Sequence, residues 1–254
     1  MSHVSYSEIK VWNECPFKHK LQYIDKIDGF KGNLHTAFGT AIHSVCEQGL
    51  LDEDLNREQH FLDEFSKEVV SLKEKEVEIN WKLHEQMMGQ YKPIVSTFRN
   101  ELDNYFEDCE VVSTEEMLYE DIDGHDLKFK GFIDLVVKTK DGKYHILDWK
   151  TCSWGWDARK KADKVINYQL TLYKYFWAKK HDVPVNQVET HFGLLKRTAK
   201  KNNTEIFRVT SGPRKMQNAL DFLNKAIVNI KRNIFIKNRL SCKYCDFHKT
   251  EHCK

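Results

Sequence analysis

Three β-like runs follow one another in the middle of this chain, at 111–120, 127–138 and 143–151, joined through Asp123-Gly124 and Asp141-Gly142. Both dipeptides are hairpin-type turn signals, so the runs predict a β-meander. Two of the runs carry an acid where an apolar residue belongs. Lys130-Gly131-Phe132-Ile133-Asp134-Leu135-Val136-Val137 sets a carboxylate inside an apolar stretch, and His145-Ile146-Leu147-Asp148-Trp149-Lys150 does so again. Desolvating an unpaired carboxylate is expensive, so each needs a compensating partner. Asp148 and Lys150 are two residues apart on a strand and project from one face. If the meander pairs about Asp141-Gly142, Asp134 and Asp148 come together at one end of the sheet, and two carboxylates so placed favour a divalent cation between them. The competing reading is a plain buried Asp148–Lys150 ion pair. Spacing alone does not select this triplet, because Glu8-Ile9-Lys10 and Asp141-Gly142-Lys143 match the same string. Strand context and the second acid do.

The rest of the chain reads as helix around this meander. Ser7 is expected to cap a helix ending at Glu14, with Pro16 opening the next, so Cys15 lies at a helix junction. Helical spacing returns at 40–51, and the charged stretch 55–106 holds longer helical patterns interrupted near Pro93. After the meander come a helix at 161–180, strands at 189–196 and 204–210, and a helix at 213–236. That order predicts a mixed α/β sandwich in a single domain, with 45–106 as a helical insertion and 237–254 as a cysteine-rich end. No Gly-rich phosphate loop is present.

With 254 residues, 41% of them hydrophobic, the chain can bury one sizeable core. No apolar run reaches membrane-spanning length and the first residues lack a secretory pattern, so a soluble, cytoplasmic protein is expected. Charge is unevenly spread. Residues 196–254 hold 15 Lys and Arg against 4 Asp and Glu, a local +11, leaving −9 on the remainder. Such a basic end suits a polyanionic partner, or is simply a solvated basic surface.

Seven cysteines in a chain this long do not make a disulfide scaffold. Cys242, Cys245, Cys253, His248 and His252 fall within twelve residues, a density typical of a metal site. Thiolates in fours suit an iron–sulfur cluster, and three cysteines with one histidine suit zinc. Cys46, Cys109 and Cys152 read as small core residues.

Four motifs, in order, resemble the PD-(D/E)XK nuclease superfamily and within it the RecB-type branch, which includes AddB-type nuclease domains and the CRISPR spacer-acquisition exonucleases with an iron–sulfur cluster. They are Gly39-Thr40-Ala41-Ile42-His43, Gly131-Phe132-Ile133-Asp134, Asp148-Trp149-Lys150 and Gln169-Leu170-Thr171-Leu172-Tyr173. The resemblance implies a restriction-endonuclease-like core, a mixed central sheet flanked by helices. It implies that His43, Asp134, Asp148 and the Trp149 carbonyl ligate magnesium or manganese, with Lys150 acting on the attacking water. Gln169 and Tyr173, four apart on one helical face, would position Lys150 and the DNA backbone, although Tyr173 also reads as core. Taken alone, His43 reads as an ordinary helix histidine. Glu116 resembles the acid on the branch's first strand, and reads equally as a solvated carboxylate. The resemblance further implies that Cys15 joins Cys242, Cys245 and Cys253 around an iron–sulfur cluster. The seven residues between Cys245 and Cys253 are a longer gap than that pattern has, which leaves open a zinc site of the three C-terminal cysteines with His248 or His252.

The implied activity is DNA exonuclease action on ends or single strands in recombination, repair or DNA processing, with Lys196, Arg197, Lys200, Lys201, Arg208, Arg214 and Lys215 tracking phosphates. A helicase or recombination partner protein is the implied company. The rivals are a non-catalytic DNA-binding subunit of a repair assembly and a zinc-stabilised endonuclease.

Overall fold

The computed structural model of the protein describes residues 2–27 and 29–254. Its elements are β1 (His3–Ser5), α1 (Tyr6–Glu14), α2 (Pro16–His19) running into a π-helical turn (Lys20–Ile24), α3 (Leu34–Leu51), α4 (Arg57–Glu74), α5 (Trp81–Gln90), α6 (Lys92–Phe106), β2 (Glu110–Asp121), β3 (Lys128–Lys138), β4 (Tyr144–Cys152), α7 (Ala158–Lys161), α8 (Lys164–Lys180), β5 (Val188–Lys196), β6 (Thr204–Val209) and α9 (Pro213–Lys231).

The expected meander is β2-β3-β4, with antiparallel pairing throughout. α8 then carries the chain back to β5, which lies parallel to β4, and β6 returns antiparallel at the edge. A parallel neighbour needs such a crossover, and the helix expected at 161–180 provides it. β1, too short to be read in the sequence, pairs parallel with Lys128–Lys130 of β3.

Pairing along β3 creates the opening on which the site depends. β2 occupies one edge of β3 for its whole length. β1 and β4 therefore share the other edge, β1 at 128–130 and β4 at 135–138. Residues 131–134 lie between them without a strand partner on that side. Asp134 stands at the mouth of this notch.

Helices cover both faces. α1, α8 and α9 enclose one core with Phe129, Ile133, Val136, Ile146 and Phe192 of the sheet. α3 to α6 enclose the other with Leu135, Val137, Leu147, Trp149 and Leu195. The stretch 45–106, expected as an insertion, thus packs directly on the sheet. Strand alternation predicts that Ile133 and Leu135 share a face. They do not: Ile133 belongs to the first core and Leu135 to the second, so the alternation breaks at Asp134. Across the ladder Glu115 has φ +46°, and a bulge falls between Val111 and Ser113. Such irregularities re-aim side chains, here at a row of acids.

Local signals explain the helix boundaries, with some shifts from expectation. Ser5, not Ser7, caps α1 by accepting from the Glu8 N–H at 3.1 Å. α3 starts six residues before 40, because Asn33 and Thr36 form a reciprocal capping box. Pro93 sits in the first turn of α6 and separates it from α5, as a proline without an N–H requires. The helix expected at 161–180 is divided, since Asp163 accepts from the Val165 and Ile166 N–H groups and starts α8 afresh. α9 ends at Lys231, short of 236, and Asn233 follows with φ +56°. Among the described residues, no helix is long and apolar enough to cross a membrane.

Gly193 on β5 lies opposite Trp149 of β4, and a Cβ built there would meet the indole ring at 2.2 and 2.3 Å. The Trp149 ring, 1% exposed, has no room to withdraw. Gly193→Ala should destabilise the fold by about 1–3 kcal/mol through overpacking. The check is a urea denaturation midpoint against wild type, with Gly212→Ala, whose site has open space and an ordinary extended backbone, as the comparison for backbone effects alone.

Candidate active site

β3 and β4 pair regularly only as far as Leu135–Leu147. Continuing that register by one step sets Asp134 opposite Asp148, but there the ladder stops and a side chain takes over. The Asp134 carboxylate accepts the Trp149 N–H at 2.6 Å. On the other side of β3, the pairs Thr114–Leu135 and Glu116–Ile133 put Glu115 level with Asp134. Three acids, Glu115, Asp134 and Asp148, therefore lie in one row across three strands.

α3 brings two further groups. His43 Nδ1 is 3.6 Å from Asp134 Oδ2. Glu47 is one helical turn further along and faces the same row. Burial, with the charge of Lys150, lowers the His43 imidazole to about 4, so it is neutral near pH 7 and free to offer a lone pair. Burial and then the Asp148 charge push Asp134 well above the usual carboxylate range, against the pull of Lys150 and the Trp149 N–H. Burial raises Asp148 as well, opposed by Lys150. Glu115 is raised by burial, Glu47 and Asp148, and Glu47 itself by burial.

Lys150 Nζ lies 2.5 Å from Asp148 Oδ2. That contact is an ion pair by distance but not an aligned hydrogen bond, and Oδ2 is buried with no other partner. The donor set therefore fits a hard divalent cation: several carboxylate oxygens with a neutral imidazole beside them. One cationic side chain among four acids leaves negative charge that a metal ion would neutralise.

The α8 pair also lies at this site. Gln169 Nε2 donates to the Tyr173 hydroxyl at 3.2 Å. The Tyr173 ring packs on Gly131, where a Cβ would approach it to 2.7 Å, so the glycine of the strand motif makes room for the tyrosine of the helix motif. Burial and the Asp148 charge push the Tyr173 hydroxyl up. Tyr173 is therefore both core and site wall. Tyr6 of α1 also feels Asp148, after burial, and its hydroxyl donates to the Val165 carbonyl at 2.5 Å.

Sequence reasoning missed Glu47, Glu115 and Tyr6. Glu47 had a signal, its four-residue spacing from His43. Glu115 had none, because its facing depends on the bulge and the positive φ. The neighbour chosen instead, Glu116, points elsewhere: it accepts from Lys180 at 2.6 Å, Trp177 at 2.9 Å and Ser113 at 2.6 Å, and contacts His181 at 2.6 Å. It ties β2 to α8.

The seven basic residues do not form one strip. Lys196 is buried against Glu205 at 3.1 Å, and Arg197 is half-buried, hydrogen-bonded to Gln90 and Ser153 with Phe38 beneath it. Lys200 and Lys201 are exposed beyond the end of β5, at the Lys150 end of the sheet. Arg208, paired with Glu189 at 3.0 Å, and then Arg214 and Lys215, lie at the opposite end.

The chain ends meet away from this row. Cys15, Cys242, Cys245 and Cys253 line one cavity of about 320 Å³, together with His248 but not His252. All seven cysteines are free thiols. Asn238 donates its side-chain N–H to the Glu14 carbonyl at 2.8 Å and its backbone N–H to Cys15 Sγ at 3.3 Å. Ser241 bonds the same carbonyl at 2.7 Å. No three of the four sulfurs and His248 lie within 4.8 Å of one another. Of the remaining cysteines only Cys46 is fully buried; Cys109 and Cys152 are half-buried.

The family model for the PD-(D/E)XK nuclease superfamily matches residues 3–250, and the chain belongs to that superfamily. Its members hydrolyse phosphodiester bonds with divalent metals. Among solved structures, a protein from Eubacterium rectale provisionally described as an exonuclease is similar in fold, with TM-score 0.62 and 12% identity over 98% of this chain and 89% of that one. The protein SSO0001 is a looser match, with TM-score 0.44 and 13% identity over 97% of this chain and 84% of that one. No curated protein sequence matches.

The Glu116 network yields a pH test. Burial pushes this carboxyl up, but hydrogen bonds from Lys180, Ser113, His181 and Trp177 outweigh it and hold the group down to about 2. A depressed carboxylate contributes stability above its unfolded pKa, and that contribution is lost as pH falls through the folded value. Glu116→Gln should lower the melting temperature at pH 7, and its gap from wild type should narrow between about pH 4.5 and pH 2. A gap independent of pH would show that the network adds nothing through charge.

Proposed function

We propose that this nuclease is a magnesium- or manganese-dependent DNA exonuclease of the RecB-type branch. The observation that carries the reading is the row Glu115–Asp134–Asp148 in the notch of β3, with Lys150 beside it and His43 above. His43, Asp134 and Asp148 would hold the metal. The Trp149 carbonyl would join them, because a strand residue's N–H and C=O point to the same edge and its N–H already points at Asp134. The chemistry such a cation would supply is Lewis acidity toward the scissile phosphate and an attacking water. Lys150 orients that water and offsets charge growing on the phosphate oxygens. Tyr173 and Gln169 wall the site and hold its geometry, and Lys200 and Lys201 lie where they can meet a strand leaving it. Action on DNA ends or single strands, in recombination, repair or DNA processing beside a helicase or recombination partner, is supported by the motif order and by the exonuclease description of the E. rectale protein. A non-catalytic subunit is disfavoured because the acids and the lysine are all in place.

The cysteine cavity we assign to an iron–sulfur cluster. Zinc at a Zn–S distance of about 2.3 Å would draw its sulfurs to roughly 3.8 Å apart. Here the thiols stand around an open space, on two chain ends already joined by hydrogen bonds. The cluster would link Cys15 to the C-terminus and close a very long loop.

Asp148→Asn and Lys150→Ala should each cut magnesium-dependent degradation of end-labelled linear DNA by about 10²-fold or more while binding DNA within a few-fold of wild type. Wild type should leave covalently closed circles intact. Equal degradation by wild type and variants would overturn the catalytic assignment, and cleaved circles the exonuclease one. Anaerobically purified protein should be brown, with iron and acid-labile sulfide that Cys15→Ser loses; a colourless protein holding zinc would reject the cluster.

A further inference from the structure

At the turn end of β4, three residues before Asp148, His145 meets His191 and Glu189 of β5. One ligand atom from each lies within 4.8 Å of the others. His145 Nδ1 and His191 Nε2 face one another at 3.0 Å. Both rings are nearly buried, and they open onto a cavity of about 450 Å³ that Glu189 and Arg208 also line. No residue of the catalytic row contributes, although β4 carries both His145 and Asp148.

The outer nitrogens decide what the inner ones can do. His145 Nε2 is 2.9 Å from Thr139 Oγ1, and His191 Nδ1 is 3.2 Å from the Tyr105 hydroxyl. Each outer nitrogen thus has a hydroxyl oxygen that can accept from it, the kind of outer partner that orients a ligating histidine. With both outer nitrogens protonated, two lone pairs point at each other. That arrangement is repulsive in an apolar site unless a cation lies against both. Two imidazole nitrogens at about 2.0–2.1 Å from a tetrahedral zinc stand roughly 3.3 Å apart, close to the observed separation. Glu189 completes the set. Lys143, at 3.3 Å, and Arg208, at 3.0 Å, both pair with its Oε1, which orients the carboxylate and leaves Oε2 to a ligand.

We propose that His145, His191 and Glu189 form a second metal site, which takes a zinc-class divalent cation and pins the starts of β4 and β5 to the end of α6 through Tyr105. Two histidines and one carboxylate are a zinc donor set, with the cavity side open to water. Burial holds both imidazoles neutral, His191 down to about 3 with help from His145 and Arg208, so no proton competes for the lone pairs near pH 7. The oxygen-rich catalytic row and the thiol cavity differ from it in donor chemistry, so the three sites can be told apart.

The test is zinc stoichiometry of the full chain by equilibrium dialysis and metal analysis, with circular dichroism as the folding control. Wild type should hold one zinc equivalent more than the folded double variant His145→Gln/His191→Gln, and Asp148→Asn should keep that equivalent. Tyr105→Phe, which removes only the oxygen at His191 Nδ1, should weaken this equivalent by about tenfold or more. Cobalt in the site should give weak visible bands without thiolate charge transfer. Equal stoichiometry in the folded double variant, or unchanged affinity in Tyr105→Phe, would reduce the pair to an ordinary hydrogen bond and overturn the proposal. So would a cobalt difference spectrum, wild type minus double variant, carrying thiolate charge transfer.

Discussion

The Trp149 N–H donated to the Asp134 carboxylate is the constraint on which the site rests. Where it forms, the β3–β4 ladder has ended, and without a substitute the two strands would expose unpaired backbone in a partly buried notch. A side-chain oxygen takes the place of a backbone carbonyl. Asp134 is thereby fixed in direction, and its remaining lone pairs are left facing His43 and the row of acids. A charge-assisted bond of this kind is about twice as strong as a neutral one, which suits a position where burial otherwise disfavours the carboxylate. The same substitution opens the sheet between β1 and β4, so the feature that orients the Asp134 carboxylate also leaves open space beside it.

Four acids against one lysine is an arrangement that folding alone does not favour. Two unit charges about 4 Å apart repel by roughly 4 kcal/mol at an effective dielectric near 20. Asp134, Asp148, Glu115 and Glu47 are all raised above their ordinary values, so each holds its proton more firmly, and the Lys150 contact offsets part of the charge. A divalent cation would replace both devices, so metal affinity, protonation and stability are linked here. The supporting shell is rigid where it needs to be. Trp149 is held over Gly193 in one core and Tyr173 over Gly131 in the other, so the strands carrying Asp148 and Asp134 are gripped from opposite faces.

Much of this is legible in the sequence. Alternating runs and two turn dipeptides gave the meander to within a residue or two, and helical periodicity gave the helix after it, but that β5 returns parallel to β4 was decided by the fold. Asp134 and Asp148 stood out because an acid inside an apolar strand demands a partner. The boundaries missed were those set by short-range chemistry, such as the Asn33–Thr36 box and the Asp163 cap, which overrode periodicity. The basic residues illustrate the converse: clustered in sequence, they are parted by β5 and β6 running in opposite directions, which sends Lys200 and Arg208 to opposite ends of the sheet.

What the sequence by itself determined was the strands and the acids buried within them, because hydrophobic periodicity and the cost of burying charge are written residue by residue. The tertiary structure decided which groups meet. Glu115 rather than Glu116 joins the row, since a positive φ and a bulge turn the strand there and no local pattern announces either. Cys15 meets the C-terminal thiols at one cavity, where Asn238 and Ser241 bind the end of α1. His145 and His191 become a pair only when β4 and β5 lie side by side, in a register that α8 sets from a distance.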